Sequence, residues 1–443
     1  MEEHRTPPRL LSGPCTETQP FLLHKGEHPI SRRDIDPDVI KIIYRLHGQG
    51  FTAYLVGGAV RDLLLGKPPK DFDVATDARP GQIKKRFRNA FLIGRRFRLA
   101  HIHFADGKII EVATFRRDPE NAPERCPEPA AQGAASAHRP DEEHLKIYGT
   151  PGEDAFRRDT TINGLFFDVI TSTVIDYVGG LEDMARRTVR MIGDPGERFA
   201  EDPVRIWRVI RQAARLGFVI DPETERAIPS ELHLLGTCSG SRLFEELNKD
   251  LGGRARPTIE ALNRHGALPF ILGRIGEAYA ADPDLFDRLL GLLEVKDQDE
   301  TGLPPAPPEL YALLFWPWAE PILSRAEGDP NAALKESYAA ARPQAQIPKA
   351  LLASVIQVQV ILAGMIAALQ TGRMRWSLRE KSHFDQATRL CFMVFKGRPP
   401  GPQESFLDLY REVFPGSTPK RRKRRRKPRR RRPAHPPAEP GSA

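Results

Sequence analysis

The sequence predicts an α+β head followed by an all-helical neck and body. Between residues 53 and 114 short apolar runs alternate with glycine-bearing turns, as strands and short helices do. After Pro203 the strand signals fade, and PVRIWRVIRQAARLGF and RLFEELNKDLGG carry apolar residues at helical spacing. A chain of 443 residues is also too long for one core, so two to four packed units are expected.

Residues 1–30 are polar and Pro-containing and are expected to form a flexible leader. DPDVIKIIYRLHGQGF, from Asp36, predicts a helix that stops on Gly48–Gly50. TAYLVGGAVRDLLLG predicts a strand, a glycine pair and a helix, and DFDVAT a further strand. RPGQIKKRF predicts a helix, and FRLAHIHF and KIIEVATF predict paired strands. A Pro-, Ala- and Glu-rich stretch at 117–145 reads as a mobile insert. The expected divisions are a head at 31–175, a neck at 176–252, a body at 253–414 and a disordered tail at 415–443. No repeat period is present, which argues against a solenoid.

With 40% hydrophobic and 28% charged residues the chain reads as soluble and globular. The N-terminus lacks the layout of a secretion signal. The uncharged run from Ala350 to Leu369 contains Ser354, Gln357, Gln359 and Gly364, so it reads as a buried helix before a membrane span. Cys15, Cys126, Cys238 and Cys391 are too scattered for a metal or redox motif, which suits a reducing compartment. Residues 420–432 hold twelve cations in thirteen positions; +9 less twelve leaves a body near −3. So dense a like-charge block suits a polyanion: RNA, DNA or an anionic membrane face.

The chemistry is carried first by Gly57-Gly58 and, thirteen residues on, Asp71-Phe72-Asp73. Strand alternation points Asp71 and Asp73 to one face, where two carboxylates can share divalent cations. Paired glycines before a helix let backbone N–H groups approach a triphosphate, with Arg61 and Asp62 adding a phosphate contact and a brace. Glu111, on a strand beside DFDVAT, is the candidate third acid; the plainer alternative is an ion pair with Arg116. In Asp154–Asn163 the forks of Arg157 and Arg158 fit phosphate oxygens, while Asp159 could orient an arginine or sit near the metals. That segment could equally be a structural ion-pair network. Glu201-Asp202-Pro-Val-Arg205 reads as the start of a helix continuing through Arg208, Arg211 and Arg215, with Asp202 and Arg205 on one face. An Asp accepting from an amino group and an Arg donating to a ring nitrogen select A or C over G or U, but not A over C. The plainer reading of Glu201 and Asp202 is a helix cap.

LVGGAVRDLLLG, DFDVAT, RRDTTIN and EDPVRIWRVIRQAARLGF together resemble the class II nucleotidyltransferases of the polymerase-β superfamily. That family comprises CCA-adding tRNA nucleotidyltransferases and bacterial poly(A) polymerases. The resemblance runs from about His28 to Ile220 and more weakly to about residue 396. HPISRRDID at 28–36, LIGRRFRLAHIHF at 92–104 and the arginine-rich tail are similar to the poly(A) polymerase branch. The resemblance implies a polymerase-β-like head with a mixed or antiparallel sheet, and Mg2+ (or Mn2+) on Asp71 and Asp73. Asp159 is then the further catalytic acid, beside Glu111. ATP would meet Gly57, Gly58, Arg61, Arg158, Asp202, Arg205, Arg208 and Arg211. RNA 3′ ends of mRNA or small RNA would meet Arg95, Arg96 and Arg98 and the tail's Arg421, Arg422, Arg424, Arg425 and Arg426. RNA-decay proteins as partners, a monomeric state and a bacterial cytoplasmic setting are further expectations. The alternatives are a tRNA CCA-, CC- or A-adding enzyme and a non-catalytic RNA-binding protein. The family usually has Phe at Thr160, Ala at Gly164, a smaller aliphatic at Trp207 and Phe at Gln212.

Overall fold

The computed structural model describes residues 19–94, 99–117, 148–299, 304–371 and 376–396. Arg95, Arg96, Arg98, the basic tail, nearly all of the expected insert and the expected end of the body near Phe414 lie outside them. Two compact units emerge, one of residues up to 290 with 334–349, the other of 291–333 with 350 onward. This division does not follow the boundary expected between neck and body at 252.

The first unit is built on an eight-stranded sheet ordered β1-β8-β7-β2-β3-β6-β5-β4. Its strands are β1 (Phe21–Leu23), β2 (Ala53–Val56), β3 (Asp73–Thr76), β4 (Ala90–Ile93), β5 (Leu99–His103), β6 (Ile109–Thr114), β7 (Leu165–Asp168) and β8 (Thr173–Asp176). Every neighbouring pair is antiparallel except β3 with β6. That parallel pair needs a crossover, and helix α3 (Pro80–Arg86) with the β4–β5 hairpin supplies it. Helix α1 (Pro37–His47) starts where Asp36 accepts the Asp38 amide and ends on Gly48. Its Val39, Ile42, Ile43 and Leu46 pack into a core with Leu55, Val74, Ile102, Val112 and Phe167 from the strands.

Two expectations are corrected. The leader is not free over its whole length: β1 pairs with β8, and His28 joins the Ser172 carbonyl through Nε2 at 2.9 Å. The neck is not purely helical either. Two-residue strands β9 (Thr188–Val189) and β10 (Val219–Ile220) pair in parallel within it. Around them lie α4 (Pro151–Phe156), α5 (Gly180–Arg186), α6 (Pro195–Glu201), α7 (Val204–Leu216), α8 (Pro222–Glu231) and α9 (Gly240–Leu251). The helix α7 ends on Gly217, whose φ of 68° closes it with a left-handed cap.

The second unit is helical among the described residues. Within it Gln359 donates to the Ala312 carbonyl at 3.2 Å and Glu309 pairs with Arg389 at 2.8 Å. Lys349–Thr371 is the one described helix long and apolar enough to cross a membrane. Val355, Val358, Gln359, Ile361, Leu362 and Met365 on it are buried.

Candidate active site

The site forms where the edge of a turn meets the start of a strand. Gly57, between β2 and helix α2 (Gly58–Leu64), adopts φ 70° and ψ −134°. A Cβ there would lie 3.2 Å from Nη1 of Arg158, so backbone and side chain both ask for glycine. Gly58 has no such need: a Cβ would meet Arg61 Nη2 at an ordinary 3.5 Å. The steric demand falls on one glycine of the pair.

Strand β3 begins at Asp73, so Asp71 lies just before it and not within it as the alternation argument assumed. Phe72 between them packs on the main core, which leaves the two flanking residues exposed. Asp73 is paired in register with Val56 of β2 on one side and Glu111 of β6 on the other. Although solvent reaches Asp73, protein surrounds most of it. That loss of hydration, with Glu111 and Asp71 close by and only partly offset by Arg158, pushes its carboxyl up to about 6. Neither Asp71 nor Asp73 takes a hydrogen bond or ion pair from a described side chain. Crowded carboxylates that no side chain bonds are the donor chemistry that a divalent cation completes. Among the described residues no group of three or more His, Cys, Asp or Glu could hold a metal ion by itself. The two aspartates would therefore need triphosphate oxygens and water to complete a coordination shell. Glu111 lies 3.5 Å from His101 Nε2, and its charge also acts on Arg116.

Helix α4 brings Arg158 to the glycine turn. Its start is set by a reciprocal cap between Thr150 and Glu153. Asp154 is buried, which alone would raise its carboxyl; Arg158 and Arg157 outweigh this and hold it below the ordinary range. Arg158 bonds Asp154 at 2.9 Å through Nη2 and stacks 5.1 Å above Phe166. Asn163 then joins the two arginines nearest the glycines. Its side chain accepts from Arg61 at 2.7 Å and its carbonyl from Arg158 at 3.5 Å. Arg61 also grips Asp62 through Nε and Nη2, so the expected brace is present.

The other expected residues gather around α7. Asp159 accepts from Arg205 at 3.0 Å and from Arg208 at 2.9 Å. Burial would raise its carboxyl, and these two guanidiniums reverse the shift. Asp159 is thus held on the neck helix, the ion-pair arrangement, and does not join Asp71 and Asp73 in a carboxylate cluster. Glu201 closes α6 instead of opening α7, and Asp202 stands in the junction between the two helices. The shared-face argument for Asp202 and Arg205 is corrected accordingly. Asp202 caps the Val204 amide at 3.2 Å and pairs with Arg242 at 2.5 Å, while Arg205 also meets Glu201 at 2.6 Å. Arg211 is buried, with Nε on Asp250 and Nη1 on Glu246 at 2.5 Å, so its guanidinium is engaged within the fold.

Sequence reasoning missed Asn163, Arg242, Glu246 and Asp250 as partners of the site. Asn163 stood inside the RRDTTIN stretch; the other three pair across roughly 35–43 residues, which no local pattern signals. The departures from the family pattern prove to be compensated. The Thr160 hydroxyl donates to Gln212 at 2.8 Å, one polar replacement meeting the other. Trp207 donates its indole N–H to Asp250 at 2.6 Å. A Cβ at Gly164 would lie 2.5 Å from Val178 Cγ2, so this chain needs glycine there.

Residues 53–190 match the family model "Poly A polymerase head domain", and residues 217–276 match "Probable RNA and SrmB- binding site of polymerase A". Poly(A) polymerase I of Salmonella typhimurium (strain LT2) is 41% identical over 313 residues, covering 69% of this chain and 65% of that protein. The chain thus spans slightly less than two thirds of that relative's length. The CCA-adding enzyme of Bacillus pumilus is 38% identical over 215 residues, 48% of this chain and 50% of that protein. Among solved structures, the Bacillus stearothermophilus CCA-adding enzyme in complex with CTP superposes with a TM-score of 0.54 at 25% identity, covering 85% of this chain and 82% of that one. The head-domain match is laid over the sheet that carries Asp73, Glu111 and the glycine turn, so residues 53–190 belong to the poly A polymerase head-domain family, and the chain is similar to poly(A) polymerases and to CCA-adding enzymes.

Proposed function

We propose that this protein is a template-independent polynucleotide adenylyltransferase that adds AMP from ATP to RNA 3′ ends. The observation that carries the reading is the unpartnered Asp71–Asp73 pair, with Glu111 in register beside it and Arg158 at the glycine turn. In the reaction the 3′-hydroxyl oxygen forms a bond to the α-phosphorus of ATP. The α–β bridging P–O bond breaks, pyrophosphate leaves, and the hydroxyl proton passes to solvent or a carboxylate. Members of this family generally use divalent metal ions. Asp71 and Asp73 would hold the ion, Mg2+ in our reading with Mn2+ as a substitute, and its charge would favour both the attacking and the leaving oxygen.

The chain's own groups have distinct parts. The Gly57 turn admits the triphosphate close to the backbone. Arg158, fixed by Asp154 and Asn163, directs its fork at phosphate oxygens, and Arg61 stiffens the turn from below. Glu111 keeps the local charge negative until the ion and nucleotide arrive. Asp202 and Arg205 read the base edge, and Asp159 positions Arg205 and Arg208 for that task. Arg95, Arg96 and Arg98 and the basic residues of the tail hold RNA. The reading includes a bacterial cytoplasmic setting, action as a monomer, substrates among mRNAs and small RNAs, and a link to RNA decay.

The preference for poly(A) addition is supported by the 41% identity to poly(A) polymerase I, above the 38% to a CCA-adding enzyme over a shorter stretch. CCA addition to tRNA is the second reading. It is favoured by structural neighbours described as CCA-adding enzymes complexed with ATP or with CTP. Purified protein, offered each NTP with an unstructured oligoribonucleotide and with tRNA lacking its 3′ end, separates the two. Long ATP-only products on the oligoribonucleotide support the first; short, fixed CMP and AMP addition restricted to tRNA supports the second. No incorporation with any NTP would leave an RNA-binding protein without catalysis.

A further inference from the structure

One end of the head sheet presents an unusual face. Phe91, Ile93 and Ile109 are 52%, 48% and 50% exposed, three of the six large hydrophobics so exposed among the described residues. Scattered surface apolar residues are ordinary; a concentration on one sheet face is not. Residues paired across neighbouring strands share a face, so register orders this one. Asp73 of β3 pairs with Glu111 of β6, Glu111 with His101 of β5, and His101 with Phe91 of β4. A continuous row thus leads from the candidate catalytic aspartate to an exposed aromatic ring at the sheet edge. At strand spacing the row is about 14 Å long, the reach of a few nucleotides. The opposite faces of these strands, Ala90, Ala100, Ile102, Ile110 and Val112, fill the core.

Ring chemistry accompanies the row. Phe91 and His103 lie edge to face with centroids 4.8 Å apart, and His101 lies 6.5 Å from His103. The Lys84 ammonium sits 5.0 Å from the Phe91 centroid. Lys85 in α3 and Arg88 in the turn before β4 are exposed and form no ion pair with a described residue. Exposed rings bordered by cations, continuous with a phosphoryl-transfer site, match single-stranded nucleic acid, whose bases stack and whose phosphates are anionic.

We propose that the β4–β5–β6 face is a stacking platform for the 3′-terminal bases of a single-stranded RNA primer, with Phe91 as its central ring and His103 as its flank. The proposal rests on the nucleotidyl-transfer reading of Asp71 and Asp73, which fixes the end of the row where the 3′-hydroxyl belongs. It adds recognition of the strand to that chemistry: primer ends arrive unpaired, with bases free to stack.

The test uses the full chain and an oligoadenylate carrying 2-aminopurine near its 3′ end, without NTP or metal ion. Binding is then read apart from catalysis, and a protein that fails to incorporate AMP can still pass. The wild type should quench the fluorophore. Phe91→Ala should weaken binding by about 5- to 150-fold, the worth of a lost stacked base. The slope of log affinity against log salt should stay unchanged, since no phosphate contact is removed. Phe91→Trp should retain binding, Phe91→Leu should not, and His103→Ala should give a smaller loss. A thermal midpoint within a few degrees of wild type shows that each variant folds, and should Phe91→Ala not fold, Phe91→Leu and His103→Ala decide. Wild-type affinity and quenching in Phe91→Ala would overturn the proposal. So would Phe91→Leu binding as well as Phe91→Trp, the result expected of an apolar patch for a protein partner.

Discussion

Asp73 of the head sheet and Glu246 beside α7 are shifted in opposite directions. Asp71 and Asp73 have no side-chain partner among the described residues, and Asp73 is pushed up to about 6. Glu246 is hidden from solvent, yet Arg211 and Arg208 outweigh its burial and hold it at about 2. Burial alone would drive both upward; the counter-charges decide the sign. In our reading the unpartnered pair is where a ligand supplies charge, while the ion-paired network around Glu246 holds the chain together. An upward shift alone does not mark a site, since burial also raises Asp250 although Arg211, Arg215 and Trp207 all bond to it; at Asp73 the shift coincides with the absence of a side-chain partner among the described residues.

The comparison breaks most visibly in activity. Asp73→Ala should lower AMP incorporation by ~10³-fold or more, as loss of several kcal/mol of metal-supplied stabilisation requires. RNA binding should be unchanged in a filter or anisotropy assay. Activity within tenfold of wild type would remove the metal assignment.

Stability should divide the two groups by sign. Asp73's carboxyl stands at about 6 in the fold against 3.8 unfolded, so its contribution is full below 3.8 and is lost as pH rises through 6. Asp73→Asn in metal-free buffer should therefore raise the thermal midpoint at pH 7.5, with the gain shrinking toward pH 4. Glu246, at about 2 against 4.5, contributes above 4.5 and loses that contribution as pH falls toward 2. Glu246→Gln should cost about 3 kcal/mol near pH 7, because Arg208 and Arg211 lose their buried counter-charge. Thermal melts across pH 3 to 8 read both curves, and curves of the same sign would erase the distinction.

Smaller effects sharpen it. Gly57→Ala places a side chain at φ 70° and 3.2 Å from Arg158. The strain is about 1–2 kcal/mol, and kcat/KM for ATP should fall by roughly tenfold or more. Gly58→Ala should be milder in the same assay. Smallest is the Thr160–Gln212 hydrogen bond at 2.8 Å. Thr160→Val and Gln212→Leu should each destabilise by about 1 kcal/mol, and the double variant by less than their sum. Strict additivity would make the pair incidental.

Much of this was legible in the order of residues. Asp36 before an apolar-periodic run, ending at Gly48, gave α1 nearly to the residue, because caps and periodicity are local signals. The α+β head and later helices followed from the change of hydrophobic period near Pro203. The placement of Glu111 beside Asp73 was also accessible, since two apolar strands with a helix between them are natural neighbours. The short strand β1 was not legible: three residues carry too little pattern, and a partner 150 residues away supplies the pairing. Nor were the ties from Arg242 to Asp202 or from Arg211 to Glu246 and Asp250, whose choice of partner depends on helix packing. For the same reason the burial of Arg211 was not legible: a regular Arg spacing along one helix says nothing about which arginines are covered.

The short β1 strand bears on how the protein is handled. Phe21–Leu23 lies at the outer edge of the sheet and covers β8, whose Val174 and Ile175 are buried. Trimming the N-terminus to residue 31, as its composition invites, would bare β8's unpaired backbone donors and acceptors together with those apolar residues. Such an open edge promotes chain-to-chain strand addition. A purification tag joined ahead of residue 19 keeps that seam closed, whereas one replacing the first thirty residues would trade a polar leader for a sticky border.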